Sequence, residues 1–203
     1  KITYPTKGYT AVEYEPNFFS IVVNDDKNAL LNMSGFCGGV RIKKIKDYDL
    51  SGNVKTKEYK YVKNYQLNNS TNIGSGILNN LPKYFWNNWS TNQTSHNVTL
   101  VENIFSTNPI ISLSNFSGNH INYDEIVEIE EGNGYKIYKF SSHNDYFDEV
   151  SSNTFDIQNT PYTNITDRSL SRGKLIELMV YDNNNNLLQK TQNLYSNNMG
   201  DNK

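Results

Sequence analysis

Cysteine is nearly absent from this 203-residue chain. Cys37 stands alone, which excludes an internal disulfide framework and any multi-cysteine zinc site. Histidine is almost as scarce, and His96, His120 and His143 fall in no HxH or HExxH pattern of the kind that holds a metal. No stretch approaches the ~18 to 20 apolar residues of a membrane helix, so no transmembrane segment is expected. Lys1-Ile2-Thr3-Tyr4 carries no signal-peptide pattern. Charge of one sign is lacking too. The formal net charge is -2, and Lys and Asp/Glu are interspersed, so nucleic acid, whose phosphates call for a basic surface, is not an expected partner.

Aliphatic residues are also sparse. The hydrophobic fraction is 36% and the mean hydropathy is -0.70. Aromatics reach 13%, with 15 Tyr, so burial depends on amphipathic rings that suit strands wet on one face and dry on the other. Asn concentrates between β-like runs, where its tolerance of left-handed backbone makes turns. The expectation is an all-β chain, an antiparallel hairpin-rich sheet or sandwich. Residues 1–196 form one β-rich domain or a fragment of a larger protein, and 197–203 form a disordered tail.

The organising stretch is Gly38 to Tyr61. Two β-prone, Lys-rich runs flank Asp49-Leu50-Ser51-Gly52-Asn53, so it reads as a long hairpin with Gly38, Gly39, Tyr48, Asp49, Gly52 and Asn53 as its structural turn residues. A shorter echo runs from Gly173 to Tyr195, with Asn183 to Asn186 where a Gly-Asn turn is expected. A third hairpin pairs Asp124–Glu130 with Tyr135–Ser141, its acidic strand facing a Lys-bearing one. Elsewhere, Thr10, Val12 and Tyr14 alternate as a half-buried strand that Pro16-Asn17 should end. Phe18 to Val23 is a second strand, and Ala29 to Met33 a helical turn or docking loop. Gln66 to Ser75 reads as a loop, and the acidic run from His143 to Asp167 as a long surface loop with strand fragments. Ile77 to Trp89 reads as a strand interrupted at Pro82 or a short helix, and Val98–Val101 and Ile110–Leu113 as short strands.

The GGVRIKKI run at Gly38–Ile45, followed by Tyr48-Asp49 and Gly52-Asn53, resembles the GGxRI…YDxxGN block of large secreted and cell-surface proteins of Bacteroidetes related to YD-repeat (Rhs-type) proteins. Further blocks follow in order at Tyr4–Thr10, Ser75–Leu78, Leu81–Tyr84, Gly118–Tyr123, Gly134–Phe140 and Asp167–Leu175. The resemblance implies an exported, hairpin-rich segment, part of a wrapped β-shell, at the cell exterior or outer-membrane surface. It implies no catalytic motif and no cofactor. The partners implied are other segments of the same larger protein or of a surface or secretion complex.

Several side chains invite chemistry. Cys37 with His96, His120 or His143 would make a thiol nucleophile and base, but a Cys beside Phe36 and two glycines reads better as a small buried residue. His120 suits tying a loop to backbone at a strand entrance. The loop His143 to Glu149 offers oxygen ligands without EF-hand spacing, and reads as solvated. Paired acids for glycoside hydrolysis would come from Asp124, Glu125, Glu128, Glu130, Asp145, Asp148 or Glu149. Glu128 and Glu130 lie about 7 Å apart on one strand face, where pairing with Lys explains them equally well. The glycan-binding candidates are Tyr84, Trp86 and Trp89, in YFWNNW, whose rings could stack on sugars or instead fill the core. The leading expectation is thus a non-catalytic structural or interaction segment, with a carbohydrate-binding module as the alternative.

Overall fold

The structure is a computed structural model, and it describes residues 1–69, 73–92, 98–109, 113–115, 118–150 and 165–195. The fold is all-β. In chain order the strands are β1 (Ile2–Thr3), β2 (Tyr9–Val23), β3 (Leu30–Tyr48), β4 (Val54–Lys60), β5 (Val62–Lys63), β6 (Ile73–Gly74), β7 (Gly76–Leu78) and β8 (Phe85–Asn92). They continue as β9 (Val98–Phe105), β10 (Ile121–Tyr123), β11 (Glu125–Glu130), β12 (Gly134–Phe140), β13 (Glu149–Val150), β14 (Ile165–Thr166), β15 (Leu175–Tyr181) and β16 (Leu187–Gln192). The only helical element among the described residues is a 3-10 turn at Ser169–Ser171.

One large sheet runs β10-β7-β2-β3-β4-β11-β12-β15-β16, with β1 added against β2. Its pairings are antiparallel except β2 with β7, which lie parallel through Ile21↔Ile77 and Val22↔Leu78. The sheet is thus hairpin-rich and mainly antiparallel, and its one parallel pair joins strands distant in sequence. β5–β6, β8–β9 and β13–β14 are separate two-stranded ribbons.

Four local expectations are corrected. Pro16-Asn17 does not end a strand, because β2 runs through it. Pro16 lacks an N–H and is tolerated where the register shifts: Pro16 faces Val40 while Asn17 faces Cys37, leaving Gly38 and Gly39 looped out of β3. These two glycines therefore form a bulge inside a 19-residue strand and not a turn. Only Gly39 has positive φ, at 81°. Ala29–Met33 is neither helix nor docking loop, since β3 begins at Leu30. β6 lies within the expected loop Gln66–Ser75.

Tyr61, Ser75 and Asp124 each sit between two short strands that would otherwise run on, and at each the chain changes partner. β4 pairs with β11, β5 with β6, and β7 with β10. The three kinks bond one another, Ser75 N–H donating to Tyr61 O at 3.1 Å and Asp124 N–H to Ser75 O at 3.2 Å. Ser75 is fully buried, so its backbone groups must find partners within the protein.

Two small cores follow. Tyr65, Val127, Tyr135, Ile137 and Met179 form one, and Phe19, Val22 and Leu78 the other, with Cys37 packed against it. Tyr135 stacks on Tyr181 and meets Tyr65 edge-on, so rings supply burial that the aliphatic content does not.

The turns share one chemistry. In Asp49–Asn53, Asn53 N–H donates to Asp49 Oδ1 at 2.8 Å and Gly52 N–H to Asp49 O at 3.3 Å. Asp182–Asn186 repeats these bonds at 2.8 and 3.3 Å. Asn24–Asn28 and Asn115–Asn119 do the same with an Asn side chain as acceptor. The fourth residue is left-handed in all four: Gly52, Asn185, Lys27 and Gly118, at φ 84°, 64°, 58° and 80°. Asn185 thus does the work of the glycine missing from the second hairpin. Gly52→Val places a β-branched side chain at positive φ, where a Cβ meets no other atom within 4 Å, so the cost is conformational alone. About 1–2 kcal/mol should be lost, measured by urea unfolding.

Candidate functional site

Glu128 and Glu130, the spaced acids considered for hydrolysis, are absorbed by cross-strand pairing with lysines. Glu128 receives Lys57 Nζ at 3.3 Å, Lys136 Nζ at 3.5 Å and the Tyr59 hydroxyl at 3.0 Å. Glu130 takes Lys55 at 2.7 Å, and Asp124 takes Lys63 at 2.5 Å. Glu125 accepts the Asn64 N–H at 2.8 Å, and burial raises its carboxyl pKa, as it does that of Asp124. Cys37 lies half-buried against the second core, and its burial pushes the thiol up and away from nucleophilic character.

His120 Nε2–H donates to Gly38 O at 2.7 Å, the loop-to-backbone tie its position suggests. The same carbonyl accepts Asn17 Nδ2–H at 2.9 Å, and Asn17 Oδ1 accepts the Tyr123 hydroxyl at 3.0 Å. Beside it the Arg41 guanidinium lies 4.2 Å from the Tyr61 ring centroid and 5.2 Å from that of Tyr123, and Nε bonds Glu15 at 2.7 Å. The Gly38–Ile45 and Gly118–Tyr123 blocks therefore meet in space around a bulge and a stacked arginine. Their residues pair and brace the sheet.

The aromatic candidates lie at the start of β8. Tyr84 and Phe85 are exposed and Trp86 is half-buried. Trp89 pairs with Val101 on the β8–β9 ribbon, and its side chain lies outside the described residues. Phe85 packs on Phe105 at 5.0 Å between centroids. His96, residues 110–112 and the 197–203 tail also lie outside the described residues. A cavity of about 250 Å³ lies beside Tyr65, Tyr135, Tyr181 and Asn185, smaller than the ~300–1,000 Å³ common for ligand pockets.

The solvated loop expected from His143 onward is corrected at its first residue. Ser141, Ser142 and His143 are buried, because Gly173 N–H and Ser141 N–H clamp the two segments together at 2.8 Å each. Arg172, with its side chain 2% exposed, donates from Nη1 to Asp148 Oδ1 at 2.8 Å and to Tyr146 O at 2.9 Å, and its Nη2 lies 3.5 Å from Asp167. Lys27, 8% exposed, donates from Nζ to Asn79 O at 3.1 Å and to the Asn80 side-chain oxygen. His143 Nδ1 and Arg172 Nε have no hydrogen-bond partner. Among the described residues no group of His, Cys, Asp and Glu is arranged to hold a metal. Of this cluster, the sequence points only to His143 and Asp148 as candidates for chemistry. A lysine in the left-handed slot of an Asx turn is the signal that could have pointed to it.

Burial, and then the Arg172 charge, push the His143 pKa down to about 4. The unfolded chain protonates this ring near 6.5 and the folded one near 4, so the unfolded state binds more protons between those values. Stability should fall by about 3 kcal/mol as pH drops through that window. Asp124 and Glu125, with raised pKa values, offset part of it at the acid end. In His143→Gln the slope of stability against pH between 6.5 and 5 should flatten, measured by urea unfolding at stepped pH.

The chain matches no protein-family model, no curated protein and no solved structure. No helix among the described residues is long and apolar enough to cross a membrane.

Proposed function

We propose that this chain is a non-catalytic, exported structural and interaction segment of a larger bacterial surface or secreted protein. Its partners are other segments of that protein or of a surface or secretion complex. The observation that carries this reading is the uncovered end of the sheet: all six residues of β16 are exposed, on both faces, with Leu187 and Leu188 among them. A strand with exposed leucines and an unpaired edge is a template for another strand. The first half of β3 adds to it, with Leu31, Met33, Phe36 and Val40 exposed and no partner but β2 among the described residues. Leu188→Lys should leave the fold intact and weaken association with neighbouring segments at least tenfold, measured by analytical ultracentrifugation; unchanged association would count against the reading.

Exposed Tyr84 and Phe85 support the second reading, a carbohydrate-binding module on the β8–β9 ribbon. A glycan array with Trp86→Ala and Trp89→Ala variants tests it, and an array without hits removes it.

A further inference from the structure

The geometry points to an intramolecular amide cross-link between the side chains of Lys27 and Asn80. The Lys27 amine is hydrogen-bonded to the Asn80 carboxamide oxygen, which places the nitrogen nucleophile beside the Asn80 Cγ across 53 residues of chain. Both residues are only 8% exposed, so bulk water is held away from the carboxamide.

A second, independent observation is the backbone. Of the four such Asx turns among the described residues, three place Gly or Asn at the left-handed position, and one places Lys27 there. A long side chain kept at a disfavoured φ and turned inward marks a position selected for that side chain. Lys7, also left-handed, is exposed by contrast.

Burial lowers the Lys27 pKa, which favours the neutral amine that attack requires, and it outweighs the Asp148 charge, which acts in the opposite sense. The Lys27 Nζ–Cγ bond forms and the Asn80 Cγ–Nδ2 bond breaks. One proton moves from the Lys27 nitrogen to the departing amide nitrogen, which leaves as ammonia, and no oxidant, reductant or co-reactant is consumed. The product is a secondary amide tying the β2–β3 turn to the segment after β7, and it restricts the unfolded chain as a disulfide would in a protein that has one cysteine.

Mass spectrometry of the full, denatured wild-type chain tests this without depending on any variant's folding. The expected mass is short by one ammonia, and tryptic digestion yields a branched peptide joining Lys27 to Asn80, with no cleavage after Lys27. A chain of full mass that is cleaved after Lys27 overturns the proposal. So does an ammonia loss mapped elsewhere, such as a succinimide at Asn133-Gly134. Lys27→Arg and Asn80→Ala chains should each regain full mass; persistence of the loss in either also overturns it.

Discussion

Replacing Arg172 by methionine is expected to lower the unfolding free energy by about 3–5 kcal/mol, because Asp148 and Asp167 lose the cation that compensates their burial. The Asp148 side chain is 8% exposed and that of Asp167 16%, so water cannot take over. Arg172 Nη1 also holds the Tyr146 carbonyl, tying the segment after β12 to the one before β15. Adding Asp148→Asn should recover part of the loss, since the double variant leaves one buried charge fewer without a partner. A urea titration of the single and double variants reads both effects. Histidine NMR supplies a check a purely steric account would miss: the Arg172 charge depresses His143, so its pKa should rise in Arg172→Met.

Gly76→Val should be at least as damaging. A Cβ there would strike the Phe18 carbonyl oxygen, with Phe19 Cα at 3.0 Å and the Tyr123 ring at 3.1 Å. Two of these obstacles are backbone of β2, held in the parallel pairing that joins distant parts of the chain, so rotamer changes give no relief. The expected loss is about 4 kcal/mol or more, with poor soluble yield. Gly52→Val is the internal control: it adds the same side chain in open space and should cost far less.

The hairpins were legible because their signals are local. Alternation fixes the faces of β11 and β12, opposite charges fix Glu128 against Lys136, and an Asx residue with a left-handed fourth position fixes the turns. Pro16 misled because a proline normally stops a strand, and only the unseen partner, with Gly38 and Gly39 bulged out, lets β2 continue. The parallel β2–β7 pair was invisible for a similar reason: its residues are some 56 positions apart, as in Ile21↔Ile77, and nothing local encodes that choice. The buried ring and ion pairs around His143 and Arg172 were missed because an acidic, Asn-rich run looks solvated until Ser141 and Gly173 clamp it. Lys27 was hidden because its buried partners, Asn79 and Asn80, lie 52 and 53 positions along the chain.

The proposal that this sheet presents open edges for strands of neighbouring segments is tested most directly by hydrogen–deuterium exchange, comparing the chain alone with the same chain joined to such segments. Outward-facing amides of β16 and of β3 between Leu31 and Val40 should exchange rapidly alone and become protected by at least tenfold in the assembly, while β11 and β12 stay unchanged. Equal exchange at both edges in the two states would contradict the account.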